Sequence, residues 1–444
     1  MADLGPYFWY LITLVIVVAW TLVFVYFQHR KLLEPRNITL AGPIVMWKTG
    51  RGRALIDRLA RRKKFWQRFG DLSILLVAAA MIATTVLLVW EATLVTSEAV
   101  RANPPSPDLL LGIPGVNPLI PVGYGIFGLA VAIVLHEFCH GILARAANVK
   151  VQSVGAIFLV VPIGAFVEPD EAEMRALPPR QRARLYAAGP ATNLLLALLF
   201  GFLFSTMMMS AVTPVHAGVG IVGFTTESGA SNASMQAYTV ITNVNGTPVN
   251  SFTDFTNALA NVHPNETVPV EAYDPTTGAY SWYNVTLGYD ATTGRPLLGI
   301  YALDVSTDYY HPFTNLDKFG GVTGAVLSFI ALPFSGRAPV QSPEIQFYQV
   351  SGPLGAIPQP LFWLLANTMY WLFWLNAMLG ATNALPAVPL DGGYLFRDGI
   401  TALVTRFRGG LQPEQRDRVV RQVSYLFALF VLALILWQMI GPRL

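Results

Sequence analysis

The chain has 444 residues, of which 53% are hydrophobic and only 12% charged, with a formal net charge of +3 and a mean hydropathy of +0.48. That balance excludes a water-soluble globular enzyme and reads as a polytopic α-helical membrane protein of about six transmembrane helices. A single cysteine, Cys139, excludes an intrachain disulfide framework, and the small basic excess, gathered in loops beside apolar runs, argues for no nucleic-acid partner.

Tyr7 to Phe27 reads as the first span, too long an apolar run for a cleaved signal peptide. Arg30 to Arg68 reads as a loop; its twelve Lys or Arg make it cytoplasmic by the positive-inside rule and put the N-terminus outside. Beside a span such a run is topogenic and contacts the lipid bilayer. Leu72 to Trp90 is the second span, and Arg101 to Pro121 a Pro-rich outer loop.

The third span, Val122 to Ala144, contains His136-Glu137-Phe138-Cys139-His140. Four-residue spacing on a helix puts both imidazoles on one face, where they suit one zinc ion, with Glu137 beside them as general base. Chance occurrence of the pentapeptide weighs less here than in a soluble chain, since buried ionisable groups in a span are costly and need a purpose. Cys139, three residues from His136, points partly off that face and reads as a small apolar filler.

Val151 to Glu168 is interrupted by Gly155, Pro162 and Gly164 and reads as two short strands turning at Pro162-Ile163-Gly164. Such backbone lies at membrane depth only where protein buries it or it lines a cavity. The fourth span, Leu185 to Val212, opens with Gly189-Pro190-Ala191-Thr192-Asn193, in which Asn193 must find a partner within the bundle.

Ala217 to Ser306 then turns Thr-, Asn- and Gly-rich, with one Arg and no Lys, and reads as an extracytoplasmic soluble domain. Its expected strands are Gly220–Phe224, Val240–Val249 and Val268–Tyr273, with a helix over Phe252–Asn261. Asn232, Asn245, Asn265 and Asn284 begin glycosylation sequons. The Val244-Asn245-Gly246 turn and the helix after it resemble a PDZ domain, giving a small α/β PDZ-like unit whose groove is expected beside Gly220–Phe224 as an edge strand. Val322 to Phe334 is too short to cross and reads as interfacial or re-entrant. Leu361 to Leu385 is the fifth span. It runs into Pro386 and Pro389, which break the helix and free Asp391 to turn into a cavity as a candidate third metal ligand. Six arginines from Arg397 to Arg421 place that end in the cytoplasm, and Tyr425 to Ile440 is the sixth span.

Taken together, His136-Glu137-x-x-His140, Gly164-Ala165-Phe166-Val167, Gly189-Pro190-x-x-Asn193 and Asn383-x-x-Pro386-x-x-x-x-Asp391-Gly392 resemble the site-2 protease family of intramembrane metalloproteases in residues and order. The resemblance implies one zinc held by His136, His140 and Asp391, Glu137 as general base, and Asn383 near the scissile carbonyl. It also implies substrate contacts at Gly164, Ala165, Phe166 and Asn193, and a transmembrane protein as substrate. The expected organisation is 1–121 with two spans and the basic loop, 122–212 as catalytic core, 217–306 as the PDZ-like domain, 307–360 as membrane-associated linker, 361–396 with the Asp ligand, and 397–444 with the last span. Two rival readings are a membrane metal-ion transporter, which leaves Glu137 unexplained, and an inactive relative that binds membrane proteins. The oligomeric state is not legible in the sequence.

Overall fold

The computed structural model describes residues 7–226, 228–290, 294–407 and 412–444. In chain order, α1 (Tyr7–His29) is followed by strands β1 (Ile38–Ala41) and β2 (Ile44–Thr49), α2 (Arg51–Ala60), the long α3 (Lys63–Leu94), the short α4 (Glu98–Ala102) and α5 (Val122–Ala146). Strands β3 (Val151–Leu159) and β4 (Val161–Pro169) come next, then α6 (Glu171–Arg175) and α7 (Pro179–Phe202). The middle of the chain carries β5 (Val212–Pro214), β6 (Val219–Phe224), α8 (Gly229–Asn232), β7 (Val240–Val244), β8 (Thr247–Pro248), α9 (Phe252–Ala260), β9 (Thr267–Tyr273) and β10 (Tyr280–Thr286). It continues through β11 (Gly288–Tyr289), β12 (Pro296–Leu297), β13 (Ile300–Asp304), α10 (Gly321–Ile330) and β14 (Tyr348–Val350). Helices α11 (Gln359–Asn383), α12 (Asp391–Phe407) and α13 (Pro413–Ile440) close it.

Among the described residues four helical stretches have the length and apolar composition to cross a membrane: Lys63–Leu94, Val122–Ala146, Pro179–Ala211 and Pro413–Arg443. The other two expected crossings fall on α1 and α11. The chain divides into two compact units, Met1–Leu199 with Trp371–Leu444, and Phe200–Tyr370.

In the first unit, the stretch from Arg30 to Arg68 departs from expectation. It is not a plain loop: β1 and β2 form an antiparallel hairpin, and β2 pairs with β3 to give a four-stranded sheet in the order β1-β2-β3-β4. Ile38-Thr39-Leu40 and Ile44-Val45-Met46 are strand formers around a Gly42-Pro43 turn, with Gly42 at φ +61. The β3–β4 hairpin was expected to turn at Pro162-Ile163-Gly164. It turns at Val160 instead, because Phe158 pairs with Pro162 and Leu159 with Val161. Pro162 and Gly164 are thereby carried into β4, an edge strand on which a missing N–H is tolerated.

Behind the sheet, α2 lays Ile56 against α5, in a cluster with Cys139, Ile142, Leu143, Val151 and Leu185. Cys139 is thus the buried filler its position implied. A second cluster joins α3, α7, the end of α11 and α12 through Val77, Ala187, Ala191, Ala384 and Leu395. Bidentate ion pairs tie the helix ends: Arg184 to Asp71 at 2.8 and 2.7 Å, and Arg182 to Asp398 at 2.6 and 3.0 Å.

The second unit centres on a sheet in the order β10-β9-β7-β6-β13, with β8 paired to β7 across the Asn245-Gly246 turn. Val219, Ile221, Ile241, Val244, Phe255 and Val270 fill its core, Phe255 coming from α9. The expected strands and helix are present; β10 and β13 were not foreseen. The edge-strand expectation for Gly220–Phe224 does not hold, since β6 lies between β7 and β13.

Ile56 is wholly buried and sits against Gly141 of α5, where a Cβ would meet its Cδ1 at 2.9 Å. Ile56→Ala should therefore destabilise the first unit by about 2–5 kcal/mol, read as a lowered thermal unfolding temperature in detergent; an unchanged temperature would show that α2 does not brace the metal helix.

Candidate metal centre

Three elements of the first unit supply the centre. Helical periodicity puts His136 and His140 one turn apart on α5, with ring centroids 4.8 Å apart. Asp391 is the first residue of α12, reached through the Pro386 and Pro389 break after α11. The close return of the chain there is possible because Gly392 and Gly393 have no side chain: a Cβ on either would collide with the backbone of Ala384 to Val388.

The three reactive atoms converge. His136 Nε2 lies 3.1 Å from Asp391 Oδ2, His140 Nε2 3.2 Å from the same oxygen, and the two Nε2 atoms are 3.2 Å apart. The tautomers follow from what the other ring nitrogens face. His140 Nδ1–H donates to the Leu185 carbonyl at 2.7 Å, and His136 Nδ1–H donates to Asn193 Oδ1 at 2.9 Å. The Asn193 amide is oriented by its NH2, which faces the Ala132 carbonyl and Asn376 Oδ1, each at 3.3 Å. In those tautomers the neutral imidazoles each present an Nε2 lone pair toward the carboxylate, so that three acceptors converge. A cation resolves that arrangement. Ligand atoms of a tetrahedral site with bonds near 2.0 Å stand roughly 3.3 Å apart, which is the spacing seen, so these residues fit one zinc ion with the fourth position left for water or substrate. Among the described residues this is the one group of three or more His, Cys, Asp or Glu side chains placed to share a metal.

Gly189 is the centre's spatial requirement on α7. A Cβ there would overlap the Nε2 atoms of both histidines. The bare backbone lets α7 close against α5, which in turn brings Leu185 and Asn193 within reach of the two Nδ1 atoms.

Glu137 lies beside the ligand face and accepts a hydrogen bond from the Val167 N–H of β4 at 3.2 Å. A cavity of about 670 Å³ opens over the three ligands, lined also by Glu137, Val167, Asn383 and the stacked rings of Tyr186 and Tyr394. Asn383 is on this wall, one amide N–H going to the Leu379 carbonyl of its own helix at 3.1 Å. Gly164, Ala165 and Phe166 lie on β4, which has β3 on one side and no strand on the other among the described residues. Asn193 stands apart from the expectation that assigned it to substrate: it is fully buried, and its polar atoms are committed to His136, Ala132 and Asn376. No signal in the isolated sequence separates those two roles, since both need an asparagine near the histidines.

A family model described as peptidase family M50 matches residues 124–431, more than half of the chain. An uncharacterised protein of Methanocaldococcus jannaschii is 23% identical over 394 residues, covering 88% of this chain and 85% of its own length. A Neisseria meningitidis protein provisionally named a zinc metalloprotease is 33% identical over 153 residues, 28% of this chain and 33% of that protein. A Rhizobium meliloti protein with the same provisional name is 22% identical over 377 residues, 70% of this chain and 94% of its own length.

The geometry predicts graded effects on metal content. Asn193→Ala should weaken zinc affinity by about 10–100-fold, the usual cost of losing a group that orients a ligand, and Gly189→Leu should abolish binding. Glu137→Gln should keep its zinc. Elemental analysis and competition with a chelator measure all three; undiminished affinity in the Asn193 variant would show that His136 needs no tether.

Proposed function

The chain belongs to peptidase family M50, the family of the site-2 proteases, and on that footing we propose that it is a zinc-dependent intramembrane endopeptidase hydrolysing peptide bonds within or near the transmembrane segments of membrane proteins. The observation that carries this reading is the convergence of His136, His140 and Asp391 beside Glu137, under a cavity flanked by the open edge of β4.

Zinc, when bound, polarises the scissile carbonyl and makes water a competent nucleophile at neutral pH. Glu137 takes the proton of the attacking water and passes it to the leaving amine. Asn383, on the cavity wall, donates to the oxyanion as the carbonyl is attacked. Asn193 and the Leu185 carbonyl keep the two imidazoles in the tautomer the metal needs.

A helical substrate hides its carbonyls in its own hydrogen bonds and must be held extended to be cut. The β4 edge supports such a role. Val167 turns its N–H away from β3 toward Glu137, so by the period of two Ala165 turns its N–H and C=O the same way, while Gly164 and Phe166 bond to β3. An added substrate strand along Ala165 and Val167 is led directly to the general base. A transport reading would call for further ligand sets along the bundle, and none is present among the described residues.

The basic stretch from Arg30 to Arg68 and the arginines after Arg397 support an active site toward the cytoplasm, with the N-terminus and the PDZ-like domain outside. An extracytoplasmic domain takes part in admitting substrates and not in the chemistry.

Three outcomes test the proposal. Glu137→Gln should lower cleavage of a transmembrane reporter by about 10²–10⁴-fold, and Ala165→Pro, which removes an outward N–H without touching a β3 bond, should raise KM more than it lowers kcat; unaltered kinetics in either variant would remove that residue from the mechanism. A cysteine placed near Ser228, at the exposed Thr226, should react with an impermeant reagent on intact cells while one at the exposed Arg62 does not, and the reverse pattern would invert the topology.

A further inference from the structure

Beside the metal cavity lies a second one of about 520 Å³, formed where α6, the start of α7, α12 and the start of α13 meet. That volume falls within the roughly 300–1,000 Å³ range of small-molecule sites. Its walls carry five arginines, Arg175, Arg182, Arg397, Arg416 and Arg421, against two aspartates, Asp398 and Asp417. Arg175, Tyr186 and Arg397 border both cavities, so the two lie side by side at the same end of the helices.

The charges do not cancel. Arg182 and Asp398 are spent on each other in the bidentate pair, with Asp398 9% exposed. Arg175 reaches Glu171 one turn back on its own helix at 2.7 Å, a pair exposed to solvent. Among the described residues Asp417 meets its chain neighbour Arg416, whose Nε faces Asp417 Oδ1 at 3.5 Å, a loose contact too long for a good hydrogen bond. Among the described residues no side-chain partner is found for Arg397 or Arg421. The N-terminus of α13 is already closed by Gln412 and Gln415, so the unmatched groups are the guanidinium forks themselves. Arginines that serve topology need only lie on one side of a membrane. Here they come from three separate stretches of chain and face one cavity.

We propose that this cavity binds a phosphate-bearing anion, held by the guanidiniums of Arg397, Arg416 and Arg421. Planar forks match the oxygens of a phosphate and form short, charge-assisted hydrogen bonds with it. Arg421 is the last charged residue of α13, and the uncharged run from Gln422 to Ile440 begins directly after it, the depth at which lipid headgroups meet a span. The phosphate is therefore available from two sources, the headgroup of an anionic lipid or a soluble phosphate ester, and the chemistry of recognition is common to both.

The test uses the full chain in neutral phosphatidylcholine nanodiscs, independently of any protease assay. One arm adds phosphatidylglycerol in increasing proportion and counts retained lipid by native mass spectrometry; the other titrates inorganic phosphate and glycerol 3-phosphate by calorimetry. Saturable binding of one equivalent is expected, weakened at least about tenfold in the Arg397→Gln/Arg421→Gln variant through loss of two charged contacts. The Arg61→Gln/Arg62→Gln variant, with the same change of charge, should stay within about twofold. Because both substituted pairs are solvent-exposed, unfolding temperature and zinc content should be unchanged and serve as the check on folding. Binding confined to phosphatidylglycerol assigns the headgroup, and binding of the soluble phosphates assigns a free ligand. No saturable binding in either arm, or an equal loss in both double variants, would overturn the site.

Discussion

Two imidazoles and a carboxylate held a hydrogen bond's length apart, inside a bundle built for hydrocarbon, set the terms for the rest of the first unit. Each of these groups is costly to bury alone. The cost is lowered by giving each outer ring nitrogen a partner: His136 Nδ1–H to Asn193, His140 Nδ1–H to the Leu185 carbonyl, and the Asn193 amide onward to Ala132 and Asn376. What is left over is three converging acceptors, which is the condition for holding a cation.

That network explains several features that look unrelated in the sequence. Gly189 is bare because α7 must touch the histidines. Gly392 and Gly393 are bare because α12 must start immediately beside the end of α11. Asn376 sits in the middle of an apolar helix because the Asn193 amide needs an acceptor. The sheet has a similar logic: β4 is left as an edge, with its Val167 N–H turned toward Glu137, while β1, β2 and β3 extend the sheet on its other side and Ile56 braces α5.

The metal set was legible in the sequence because each part obeys a local rule. The i, i+4 histidines report a helical face, and Asp391 follows two prolines that end an apolar helix. Elements whose role depends on distant partners were not legible. The β1–β2 hairpin lies in a stretch whose twelve basic residues drew attention to topology, although Ile38–Ala41 and Ile44–Met46 around Gly42-Pro43 carried the strand signal. The β3–β4 turn moved to Val160 because pairing register, and not the presence of proline and glycine, decided it. β6 was mistaken for an edge strand because its neighbour β13 lies far downstream in the chain and has little alternation of its own. Asn193 was read as facing substrate because position alone does not say which neighbour an amide will meet.

The central claim is that one zinc ion is held by nitrogen from His136, nitrogen from His140 and oxygen from Asp391. X-ray absorption at the zinc edge of the purified chain tests it most directly. The account predicts a single four-coordinate zinc with two imidazoles and oxygen ligands, all at roughly 2.0–2.2 Å, and loss of one oxygen contribution in Asp391→Ala. A sulfur contribution at roughly 2.3 Å, which would have to come from Cys139, or a spectrum untouched by the Asp391 substitution, would contradict it.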